Sequence, residues 1–149
     1  MSKPFTLQPL LDLAQVKNDH AIKRLAEIQN QAKSADERLT LLLQYRDEYQ
    51  TRFREAVRQG LDSNGWRNFH QFMDQLDTAV AQQRLIVAQS QDHMHAAKRE
   101  WQDKRRELKS YSTLAERHVK AEQQATQKRE QKEFDALATS TWLRTRQAF

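Results

Sequence analysis

The sequence predicts an all-α fold: an antiparallel two-helix coiled coil, a long α-hairpin with an overhanging C-terminal helix. Three observations predict it. Helix breakers are scarce, with two glycines and two prolines in 149 residues, against averages of about 7% and 5%. Both glycines, Gly60 and Gly65, fall in one stretch, QGLDSNGWRNFHQF (59–72), so the chain has one place to turn. On each side of that turn, apolar residues recur at alternating spacings of three and four, the period of a left-handed coiled coil.

The elements follow in order. Pro4 and Pro9 precede the periodic region in MSKPFTLQPLLDLAQ, a segment without the apolar core of a signal peptide. Helix 1 is expected over 10–59. One stripe set runs Leu11, Asn18, Leu25, Ala32, Leu39, Arg46, Phe53, and the other Ala14, Ala21, Ile28, Ala35, Leu42, Tyr49, Ala56; twelve of these 14 are apolar. A turn is expected over 60–65, with Gly60 as the left-handed residue ending helix 1. Asp62, Ser63 or Asn64 caps the next helix. Helix 2 is expected over 66–140. Its sets are Trp66, Met73, Val80, Val87, Met94, Trp101, Leu108, Ala115 and Phe69, Leu76, Gln83, Ser90, Ala97, Lys104, Tyr111, of which twelve of 15 are apolar.

Centring the turn near residue 63 sets Leu11 opposite Ala115, Tyr49 opposite Leu76 and Ala56 opposite Phe69. Beyond Ala115 the stripe fades into Glu122, Arg129 and Lys132. At 1.5 Å per residue, helix 1 is about 75 Å long and helix 2 well over 100 Å. Residues 116–149 therefore overhang, and 1–149 reads as a single rod-like domain. Asn18, Arg46, Gln83, Ser90 and Lys104 are polar on the stripe; they fix register or snorkel to water.

Composition narrows function. Charged residues make up 30% and hydrophobic ones 38%, with mean hydropathy −0.99, too polar for a thick core. There is no cysteine for disulfides or thiolate metal sites, and no apolar run of the roughly 20 residues a membrane span needs. A soluble cytoplasmic protein is expected. The five histidines, His20, His70, His93, His95 and His118, read as solvated; His93 and His95, two apart on a helix, point away from each other. Two glycines build no phosphate loop, and two helices enclose no pocket. The chain is expected to be no enzyme and to hold no cofactor or metal. Its net charge of +5 suits acidic partners without naming one. The run KREWQDKRRELK (98–109) mixes six basic with three acidic residues. That is a solvated face rather than a DNA-binding basic region, and no nucleic-acid partner is expected.

Apolar residues off the stripe say more. Tyr45 and Phe72 flank the seam and, with Leu42, Tyr49, Leu76 and Ala79, form an aromatic-rich patch. It is either a locally widened core or a partner surface. On the overhang, Phe134, Leu137, Ala138, Thr141 and Trp142 recur at helical spacing. With no helix opposite, they are frayed or form a docking face.

Most of the chain resembles the FliJ family of the bacterial flagellar protein export apparatus. The resemblance is clearest in LLLQYRDEYQ (41–50), SNGWRNFHQFMDQLDTAVAQQRL (63–85) and QKEFDALA (131–138), above all in the turn followed by Trp66, Asn68, Phe69 and Phe72. It implies an antiparallel coiled coil shaped like the central stalk of rotary ATPases. Such a stalk binds the hexameric export ATPase, contacts the cytoplasmic region of the export gate membrane protein and binds export chaperones. It also implies a gate-contact patch at Leu42, Tyr45, Tyr49, Phe72, Leu76 and Ala79, bordered here by Arg38 where the family has a glutamine-like position. Phe134, Leu137, Ala138 and Trp142 are then the expected contact for the ATPase ring or a chaperone. The location implied is the cytoplasmic face of the inner membrane at the flagellar base, reached only through partners. Alternatives from the same residues are the stalk of a virulence type III secretion system, a basic coiled coil on nucleic acid, and a dimerising scaffold.

Overall fold

A computed structural model describes residues 3–148. Two helices, α1 (Gln8–Gln59) and α2 (Ser63–Gln147), pack against each other as an antiparallel hairpin, with no strand among the described residues. All 14 stripe positions of α1 are buried or half-buried, as are 14 of the 15 in α2, the exception being Trp66 at 46% exposure. The heptad pattern therefore describes the seam.

The ends differ from the expected 10–59 and 66–140. α1 starts at Gln8 and takes Pro9 into its first turn, where a missing N–H breaks no intrahelical bond. α2 starts at Ser63 and runs on to Gln147. The loop is thus residues 60–62 rather than 60–65. Gly60 has φ +93° and donates its N–H to Val57 O at 3.2 Å, the left-handed helix end that glycine adopts with least strain. Of the three candidate caps, Asp62 acts: its Oδ1 accepts the Gly65 N–H at 2.8 Å. Gly65 is not a turn residue but part of α2. A Cβ there would lie 2.6 Å from Leu61 Cδ1 and 2.9 Å from Asp62 Oδ1, so close approach, not φ, calls for glycine.

The shorter loop moves the pairing about one helical turn. Tyr49, expected opposite Leu76, lies against Phe69 and Phe72, with ring centroids 5.3 and 4.1 Å away. Phe69, expected opposite Ala56, packs on Phe53 at 5.0 Å.

Packing divides the chain into two compact units. The loop unit spans Asp19–Gln102. Its buried residues are Ala21, Ala32, Ala35, Val80, Gln83 and Ala97. Gln83 Nε2 donates to Ala35 O across the seam at 2.9 Å, so this polar stripe residue does fix register. Arg46 reaches outward to Asp77 at 3.7 Å, a rim pair of small value. The terminal unit joins the chain up to Asn18 with that from Asp103 onward. Ala14 and Asn18 are its buried residues, and Asn18 Oδ1 has no hydrogen-bond partner. In both units alanines are shut off while the large stripe residues stay half-exposed, because two helices offer no third layer to cover them.

Candidate interaction surfaces

The six patch residues all lie in the loop unit. Leu42, Tyr49, Leu76 and Ala79 are half-buried, Tyr45 is 50% exposed and Phe72 37%. Tyr45, Phe72 and Ala79 each precede a residue of the first stripe set (Arg46, Met73, Val80). Residues in that register position fall on the same flank of an antiparallel seam, so the three share one side. Phe72 stacks on Tyr49 with its ring tilted 28°. Phe72 is thus part core and part surface, and Tyr45 is surface.

Next to the loop lies an aromatic cluster that the sequence reading did not assemble. Phe53 contacts Trp66, Phe69 and His70 at centroid distances of 5.0, 5.0 and 5.8 Å, and His70 lies 4.9 Å from Trp66. His70, expected to be solvated, is exposed but seated against two rings.

In the terminal unit, described residues from Gln123 onward are all exposed. Phe134, Leu137 and Trp142 stand 68%, 67% and 57% exposed, and Ala138 is exposed with them. The segment is helical rather than frayed. Side-chain to backbone bonds from Thr139 to Asp135 O and from Thr145 to Thr141 O hold hydroxyls against the helix. Arg146 sits 5.2 Å over the Trp142 ring.

His118 corrects two expectations: it is half-buried against the N-terminal residues rather than fully solvated, and contact with the N-terminal part of the chain does not stop at Ala115. Its Nε2 donates to Lys3 O at 2.7 Å and its ring meets Phe5 at 5.6 Å. The stripe spacing runs on from Ala115 to His118 and Glu122, a signal visible in the sequence once a partner for it is known.

Among the described residues, no three His, Cys, Asp or Glu side chains gather to hold a metal ion, and no helix is long and apolar enough to cross a membrane. The exposed apolar surfaces are what this geometry offers.

A family described as "Flagellar FliJ protein" matches residues 2–147. The chain belongs to the flagellar FliJ family. It is 31% identical over 144 residues to the "Flagellar FliJ protein" of Salmonella typhi, covering 97% of this chain and 98% of that protein. It is 30% identical, with the same coverage, to the "Flagellar FliJ protein" of Escherichia coli (strain K12). This FliJ-family hairpin therefore spans nearly the full length of both relatives.

Proposed function

We propose that the chain is a non-enzymatic component of the flagellar type III protein export apparatus, a stalk-like adaptor between the export ATPase and the export gate. Family membership supports the flagellar setting. The observation that carries the adaptor reading is the pair of exposed apolar surfaces in separate units. One is the flank that bears Tyr45 and Phe72, and the other is the Phe134–Leu137–Trp142 face on a helix with no opposing partner. Exposed aromatics of this size mark docking sites.

In this reading the terminal unit engages the hexameric export ATPase, promoting ring assembly and hydrolysis, or binds export chaperones through Phe134, Leu137, Ala138 and Trp142. The patch Leu42, Tyr45, Tyr49, Phe72, Leu76 and Ala79 meets the cytoplasmic region of the gate protein. A bare helix suits entry into a ring, because its outer face carries only its own side chains. The protein makes no bonds; it transmits the state of one partner to the other at the cytoplasmic face of the inner membrane.

The test is ATPase stimulation by the triple variant Phe134→Ala, Leu137→Ala, Trp142→Ala. Stimulation falls by at least tenfold while circular dichroism and gate-protein binding stay unchanged. Full stimulation would move the ATPase contact elsewhere.

A further inference from the structure

The N-terminal arm, residues 3–7, takes no part in those surfaces. It precedes the first helical residue, Gln8, yet folds onto α2 through residues 115 positions away in the chain. Lys3 O can only accept, so His118 Nε2 carries the proton in their 2.7 Å bond. Phe5, half-buried, lays its ring against the same imidazole at 5.6 Å with a 43° tilt.

The arm is stiff for its length. Pro4 fixes its own φ and drives Lys3 toward an extended backbone. Phe5 O accepts the N–H of Gln8 at 3.2 Å, tying the arm to the first turn of α1. An extended Lys3 leaves its carbonyl free for His118; in a continued helix it would be spent inside α1.

The contact also marks where pairing ends. His118 and Glu122 are the last half-buried residues of α2, and every described residue after them is exposed. A groove opens at this point. Lys3 and Phe5 form one wall, and Val119, Glu122, Thr126 and Glu130 of α2 line the other.

We propose that the arm is a strap: it clamps α2 at His118 past the end of the α1 helix, protects the turns around 118–126 in the free protein, and detaches from α2 as a unit. Among the described residues, one hydrogen bond and one ring pair tie it to His118. Few bonds break on opening, which puts the strap at the low-stability end of the fold, where moving parts are found.

Hydrogen exchange by mass spectrometry on the full chain tests this, comparing wild type with Phe5→Ala, His118→Ala and the double variant. Each single variant exchanges amides 118–126 about tenfold faster, and the double adds little because either loss opens the same strap. Amides within 75–90 of the loop unit do not change. Phe5→Ala is the decisive variant, because it leaves the sequence of α2 intact. Unchanged protection at 118–126 in Phe5→Ala would overturn the strap. So would an equal rise in exchange throughout both units, which would make Phe5 a general stabiliser.

Discussion

Tyr45 and Phe72 share one flank of the loop unit, and replacing each by alanine separates docking from folding. Phe72 is 37% exposed, so about two-thirds of its side chain is covered. Full burial of a phenylalanine contributes roughly 1.5–3 kcal/mol, so this share is about 1–2 kcal/mol. Its stack on Tyr49 at 4.1 Å adds about 0.5–1.5 kcal/mol. Phe72→Ala should therefore destabilise the hairpin by about 1.5–3.5 kcal/mol and lower its melting temperature by about 3–14 °C. Tyr45 is 50% exposed and is absent from the ring contacts around Tyr49. Tyr45→Ala should change stability by no more than about 0.5 kcal/mol, as surface substitutions do. If the flank docks the gate protein, both variants lose about tenfold or more in affinity, as truncated aromatic anchors do. Thermal melts followed by circular dichroism read the first effect, and titration calorimetry with the gate protein's cytoplasmic region reads the second. Equal melting shifts for the two variants would make the patch a widened core. Unchanged affinity in Tyr45→Ala would remove this flank from the interface.

Other outcomes follow from single residues. Asn18→Leu should stabilise the chain by about 1–3 kcal/mol, since it removes a buried carboxamide oxygen that no donor satisfies; a melting temperature at or below wild type counts against this. Gly60→Ala should destabilise by about 1–2 kcal/mol, because φ +93° strains any Cβ. Gly65→Ala should lose less: about 1 kcal/mol of helix propensity gained offsets damage to the Asp62 cap. A larger loss at Gly65 than at Gly60 in denaturant melts would contradict that ranking. Gln83→Leu should keep stability within about 1.5 kcal/mol yet loosen the register that its bond to Ala35 holds. Cysteine cross-linking between the helices would then yield several registers where wild type yields one.

What the sequence determined on its own is what repeats or breaks along the string. Glycines confined to 59–72, with no proline after Pro9, dictated one reversal, and alternating three- and four-residue spacings dictated which side chains form the seam. The unpaired C-terminal face was legible because α1 runs out of residues before α2 does. Tertiary structure decided whatever depends on a contact between distant residues. Gly65 looked like a turn residue, yet it lies inside α2, where a Cβ would press on the Leu61 side chain. With α2 starting at Ser63 the loop is shorter and the pairing lies about a turn away, with Tyr49 on Phe72 and Tyr45 half in solvent. His118 looked solvated because its partners, Lys3 and Phe5, stand at the other end of the chain. Periodicity is a one-dimensional property, so a heptad names the face a residue turns inward; which residue meets it there depends on loop length and side-chain volume, which act only once the chain has folded back.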